Sequence, residues 1–442
     1  MYPITTRLLS ATTTLSMRRL CVTAMAALAC VGTCASAAPS QTLDWPEQKV
    51  IASNGIAHDA FGQSIALRGT TALIGAVDVN QWEGAIYVFS QSGGVWTQGQ
   101  EFMASDGAPN DRATFGTSIA IDGDTAVIGA LGATIDGHAN QGAAYVFVET
   151  DGVWNEVAKL VANDGDANNY FGQTVAISGS NIVVGAYGAN VDGNDLQGTA
   201  YVFSNASGNW KLAQKLAADD AAGGAFFGRA VAISGSQIFV AAPYTAANDV
   251  PAAGAVYVFD GSNGTWTQTQ KLFADDGNPG DGLGFSLAAA GSTLVAGANG
   301  SGGGQGAAYV FTAQDALWSQ AAKLSADDGT SGDDLGYAVA AFGNSVIVGA
   351  DRATVDGAVQ QGAAYVFSNV DDTWSQTQKL AASDGAANEF YGGFVALTDA
   401  TALVGVPYAT VDDAAVRGAA YFYARDDAAS DTVFEDGFDG TP

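Results

Sequence analysis

Apolar positions along this chain fall in short runs of four to eight residues, and the same set of runs returns again and again. Residues 171–178, 182–186, 199–203 and 210–216 are each rich in Val, Ile, Tyr, Phe or Leu, with Gly, Asn or Asp between them. Such punctuation predicts four strands per unit. A tight Gly179-Ser180 turn joins the first two, and a loop of about eleven residues leads to the third. No segment carries a sustained helical period. Within Ala200-Tyr201-Val202-Phe203 the large aromatics fall on one face and the small aliphatics on the other. Neither face is polar, so both are expected to be buried, the large face of one sheet against the small face of the next. Blades of a propeller have that environment.

The recurrence is regular. A Phe-Gly pair or its equivalent stands at Phe61-Gly62, Phe115-Gly116, Phe171-Gly172, Phe227-Gly228, Leu283-Gly284, Leu335-Gly336 and Tyr391-Gly392, at intervals of 54, 56, 56, 56, 52 and 56 residues. A second landmark, Gly-Ala-Ala-Tyr-Val-Phe in type, begins at Gly84, Gly142, Gly198, Gly254, Gly306, Gly362 and Gly418. A third is a tryptophan five residues before a Lys-Leu pair or its equivalent, at Trp96, Trp154, Trp210, Trp266, Trp318 and Trp374. The seventh tryptophan strand is missing after Tyr423 and stands instead near the start, in Trp45-Pro46-Glu47-Gln48-Lys49-Val50. The expected fold is therefore all-β: a seven-bladed β-propeller of four-stranded blades, its ring closed by the N-terminal strand completing the last blade. Closure removes exposed sheet edges.

These landmarks over residues 44–423 resemble the FG-GAP repeat, found in the N-terminal propeller of integrin α subunits and in many exported bacterial proteins. The Ala-Asp-Asp-Gly stretch at Ala274 to Gly277 is closer to the bacterial branch. The resemblance implies a propeller used in extracellular recognition or adhesion. The integrin repeats carry a calcium loop between the first and second strands. Here that connection is only a turn such as Asp122-Gly123-Asp124, so those ligands have no positions to occupy.

Residues 1–37 read as a signal peptide. Arg18 and Arg19 precede the apolar stretch 20–32, and Ala35-Ser36-Ala37 offers a small-residue cleavage site. Met17 is an alternative start. The apolar stretch is too short to span a bilayer. The protein is expected to be secreted, extracellular or periplasmic, with a lipid anchor on Cys30 as the alternative. Residues 38–423 form the propeller, and 424–442 an acidic tail that leaves the repeat pattern. Cleavage removes Arg7, Arg18 and Arg19, leaving 13 basic against 45 acidic residues, a net charge of −32. That surface repels nucleic acid and anionic membranes and favours cationic partners. A monomer is expected.

Strand alternation sends the loops after the second and fourth strands to one face, which collects 26 of the 45 acidic residues against Arg112, Arg352 and Arg417. Asp275, Asp276, Asp281, Asp351, Asp356, Asp412 and Asp413 mark this face as the candidate surface for an extracellular protein or glycan, although acidic loops also serve solubility alone. No cofactor is expected. Calcium, if bound, would use Asp327, Asp328, Asp333 and Asp334, since hard cations take clustered oxygen ligands. The mature chain's histidines, His58 and His138, lie in loops of different type, and no nucleophile elbow, phosphate loop or zinc helix motif is present. A non-enzymatic recognition propeller is expected, with a matrix protein lacking a specific ligand and a hydrolase on the acidic face as alternatives.

Cys21, Cys30 and Cys34 all precede the cleavage site, so the exported chain should contain no thiol. Reducing agent should leave its melting temperature unchanged, and mass spectrometry should place its N-terminus after Cys34. A lipid on Cys30 would be the contrary result.

Overall fold

The structure, a computed structural model, describes residues 45–107, 112–220, 222–314 and 317–425. Seven four-stranded antiparallel sheets stand around a central channel. In the first blade the strands run, from the axis outward, Phe61–Arg68, Thr71–Ala76, Ala85–Ser92 and Val95–Phe102. The last blade consists of Phe394–Leu397, Thr401–Val406, Ala419–Ala424 and, as its outer strand, Glu47–Val50. Glu47 pairs with Tyr423 and Val50 with Ala420, so the N-terminal strand does close the ring.

The expected packing of aromatic on small faces is present. Phe61, Tyr87 and Phe89 of blade one pack with Leu403, Ala420 and Phe422 of blade seven in one buried cluster. Phe115, Tyr145 and Phe147 of blade two pack in the same way on Leu73, Ile86 and Val88 of blade one. The core is thus a set of interblade layers, and no blade has a core of its own.

The Phe-Gly and Gly-Ala-Ala landmarks meet each other across these layers. Gly418 of blade seven bridges to Phe61 of blade one, and Gly142, Gly198, Gly254, Gly306 and Gly362 each bridge to the Phe-Gly position of the following blade. A Cβ on Gly142 would lie 2.0 Å from the Phe171 carbonyl oxygen, and φ there is +89°. Only glycine allows that approach. The residue before each Phe-Gly pair is also left-handed, from Ala60 (φ 56°) to Phe390 (φ 56°). The innermost strand therefore enters through a bulge, and its regular pairing in blade three begins at Thr174, not at Phe171.

The outer tryptophans are tied to their neighbours by a second repeated device. The Gln48 side chain accepts from the Trp96 backbone N–H at 2.9 Å and donates to its carbonyl at 2.7 Å. Gln100, Gln214 and Gln270 clasp Trp154, Trp266 and Trp318 in the same two-bond fashion. Ala158 and Ala322 occupy the corresponding positions before Trp210 and Trp374. Those two tryptophans are only half-buried, whereas the four clasped ones are buried.

The seam of the ring has a further tie. Arg425, directly after the last inner strand, donates to the Thr398 carbonyl of blade seven and at 2.9 Å to the Ser345 hydroxyl of blade six. Its guanidinium lies 5.5 Å from the ring of buried Trp45. Replacing Trp45 with Ala should cost about 3–5 kcal/mol of stability, the usual range for emptying a buried tryptophan site. Removing the chain through Val50 should lower the melting temperature further, because it also bares the edge of Ala419–Ala424. Thermal melting with sedimentation analysis checks both; an unchanged melting point in a monomeric truncation would refute the closure.

Candidate functional site

The loops after the second and fourth strands interlock on one face. Asn168 and Tyr170, between blades two and three, donate their backbone N–H groups to Ala139 and Asn140 of the loop after the second strand of blade two. The acidic residues of this face divide into three groups by what they touch.

The first group holds the blades together. Asp276 lies in the loop between blades four and five, where it accepts from Tyr309 at 2.7 Å and from Lys323 at 2.6 Å, both in blade five. Asp328 does the same with Tyr365 and Lys379. Equivalent triads are Asp106 with Tyr145 and Lys159, Asp164 with Tyr201 and Lys215, Asp220 with Tyr257 and Lys271, and Asp384 with Tyr421 and Lys49. Each lysine nitrogen also sits 5.2–5.5 Å from the centre of its tyrosine ring. Burial alone would raise these six carboxyls, but the bonds from Lys and Tyr outweigh it and leave each below its ordinary range. The seventh junction inverts the pair. Asn54 replaces the aspartate, Glu101 replaces the lysine, and the two join at 2.9 Å.

The second group shapes the loops. Buried Asp281 accepts from the Asn278 backbone N–H, and buried Asp333 from the N–H and hydroxyl of Thr330. Asp59 and Glu389 close their own loops alike, on Ile56 and Ala386.

The third group is exposed. After the second strand, five blades form two-residue turns closed by bridges Ile135–His138, Val191–Asn194, Ala247–Val250, Val355–Ala358 and Val411–Ala414. Both tip residues have positive φ, as in Asp136 (50°) with Gly137 (89°) and Asp412 (51°) with Asp413 (61°). Asp, Asn and Gly suit that turn best. In blades one and five no such bridge closes the loop among the described residues, but Asn80 with Gln81 and Gly302 with Gly303 are left-handed in the same way.

The seven residues expected to face a partner are therefore dispersed in role. Asp356 and Asp413 project at turn tips, Asp412 projects but pairs with Arg417 at 2.8 Å, and Asp275 is an exposed loop residue. Asp276 is an interblade tie, Asp281 a loop closure, and Asp351 is buried. The four candidate calcium residues are likewise engaged separately. Asp327 donates its backbone N–H to Gln376, Asp328 and Asp333 have the partners given above, and Asp334 meets Arg352 at 3.4 Å. Among the described residues no group of three or more His, Cys, Asp or Glu is arranged to hold a metal ion.

Asp351 differs from the rest. It follows Gly-Ala at the end of the second strand of blade six, where the other blades carry Val77, Leu131, Tyr187, Pro243, Asn299 and Pro407. It is 5% exposed, and its Oδ1 has no hydrogen-bond partner. Burial first, and the charge of Asp334 second, push its carboxyl up to about 7. It borders a cavity of about 200 Å³ at the channel mouth, with Gln63, Tyr337, Arg352, Phe390 and Tyr408 among the walls. The sequence puts Asp351 among the candidate partner-facing acids of this face and gives it no role of its own. Its position in the repeat, otherwise free of acids, was the available signal.

A closed ring of seven four-stranded blades with a loop-built face defines the class of the molecule. The FG-GAP repeat model matches residues 45–89, 96–147, 154–203, 210–259, 266–311, 318–367 and 374–423, and the chain belongs to the FG-GAP repeat family. No curated protein matches it in sequence. A solved chain from the crystal structure of the mitotic checkpoint complex is similar in fold, with TM-score 0.51 and 11% identity over 86% of this chain and 94% of that one. No helix among the described residues is long and apolar enough to cross a membrane.

The two kinds of shifted carboxyl act in opposite senses on stability. The six lowered aspartates stabilise the fold above the unfolded value of about 3.9, and this is lost as pH falls through their folded values. Asp351 destabilises progressively as pH rises from about 4 through its raised value. Asp351→Asn should therefore melt a few degrees higher than the parent at pH 8 and equally near pH 4. A lower melting point at pH 8 would show that the carboxylate is stabilising where it lies.

Proposed function

We propose that the protein is an exported, non-enzymatic recognition propeller that presents the turn-tip carboxylates of its loop face to an extracellular partner carrying positive charge. The observation that supports this most is the sorting of acids just described. Once the interblade and loop-closing aspartates are set aside, Asp136, Asp192, Asp249, Asp356 and Asp413 still project from five adjacent-type turns, with no ion pair to any described residue. Turn geometry explains why Asp or Asn stands there, yet Asn would serve the turn equally well. The family's use of such propellers in recognition agrees with this reading, and a chain of net charge −32 after cleavage would steer cationic partners toward it.

The test replaces those five aspartates with Asn, which keeps the left-handed turn conformation. Binding to immobilised polylysine should fall strongly relative to the parent at low salt, while the melting temperature holds. Equal retention of parent and variant would refute the crown of turns as the recognition surface.

A further inference from the structure

We propose that the cleft between blades six and seven, at the channel mouth, binds one neutral pyranose residue of a glycan. The inference goes beyond the reading of the turn tips and stands apart from it, since none of the five tip aspartates lines this cleft.

Four features of the cleft point the same way. Asp351 is a buried acceptor whose Oδ1 is unpaired. Leaving such an oxygen without a donor is costly, so an O–H or N–H group is the natural complement. Tyr408 stands in the wall with 46% of its surface exposed, and Phe390 meets it edge to face at 5.4 Å. An open aromatic face braced by a second ring offers a flat apolar platform, suited to the C–H face of a sugar ring. Arg352 and Gln63 add donors and a further acceptor at the rim, as adjacent hydroxyls require. Finally, the volume of about 200 Å³ lies below the roughly 300–1,000 Å³ of drug-sized pockets and admits a single ring.

A cation fits less well, even though aromatic walls around an acid are otherwise its usual site. Arg352 lines the cleft and is held there by Asp334 at 3.4 Å. Arg229 lines the adjoining channel wall together with Tyr337. With Arg352 and Asp334 cancelling each other, Arg229 is left to oppose Asp351, so an incoming ammonium would find no net negative charge. A polyol meets no such opposition, and its hydroxyls can donate to Asp351 while accepting from Arg352.

The experiment is saturation-transfer NMR on the mature protein with the methyl pyranosides of glucose, galactose, mannose and N-acetylglucosamine, and with butylammonium as the cationic probe. At least one pyranoside should bind in the millimolar range, weakened roughly tenfold or more by Tyr408→Ala and by Asp351→Asn. Tyr408 is exposed and Asn matches Asp in size, so both variants should fold as the parent does. The variant with Asn at the five turn tips should bind the sugar undiminished, which separates the failure of either reading from that of the other. Absence of binding by all four sugars would overturn the proposal. So would binding indifferent to both substitutions, or preference for butylammonium.

Discussion

The close passage of one blade's backbone against the next is the constraint on which this ring depends. Where Gly142 faces the Phe171 carbonyl, or Gly418 that of Phe61, a Cβ would fall 2.0–2.1 Å from oxygen. Backbone must therefore meet backbone, and the spacing between sheets near the axis is set by main-chain atoms. Side chains then fill the wedge that opens outward. Tyr87 and Phe89 of the third strand and Trp96 of the outermost strand fill it, packed on Leu403, Ala420 and Phe422 of the preceding blade. A wider residue at the glycine would force neighbouring blades apart, and the error would accumulate around a ring that has to close on Glu47–Val50.

Much of this was legible because a repeat states its rule seven times. The strand count, the closure and the burial of both sheet faces follow from spacing and alternation, which are local properties. The polar ties between blades were not legible, since each joins residues of different repeats. Asp276, Tyr309 and Lys323 belong to three separate sequence landmarks, the Ala-Asp-Asp-Gly stretch, the Gly-Ala-Ala-Tyr-Val-Phe run and the Lys-Leu pair. Read singly, the first looked like an acidic loop open to a partner or an ion. In three dimensions the three landmarks form one contact. The exception in blade one confirms the pairing from within the chain: Asn54 and Glu101 depart from the consensus together and meet at 2.9 Å.

The same logic reassigns the acidity of the loop face. A high density of carboxylates suggested one electrostatic surface, but charge in proteins acts according to its partners. Six of the aspartates are drawn below their ordinary range by Lys and Tyr and contribute cohesion between blades. Others spend their oxygens on backbone N–H groups of their own loops. The field presented to solvent comes from fewer groups than composition suggests, and these sit farthest out, on turns whose conformation is fixed by a two-residue bridge.

Departures from the repeat then become the informative positions. Seven equivalent sites leave six internal comparisons for every residue, so a side chain that the frame does not require stands out without any alignment of relatives. Gly142 and its equivalents never vary, because the frame cannot form otherwise. The Gln that clasps the outer tryptophan varies at Ala158 and Ala322 with a graded consequence, half-burial of Trp210 and Trp374. Asp351 varies in the opposite sense: it adds a buried, unpaired oxygen where Val77, Leu131 or Pro407 would pack at no such cost. A repeat frame tolerates a residue that weakens it where the surrounding contacts hold the blade in place, and blade six is held by its Asp384–Tyr421–Lys49 junction and by Arg425. The seam beside the closing strand, which adds the Arg425 bonds to the common triad, is thus also where a strained polar group can persist, as functional sites commonly require.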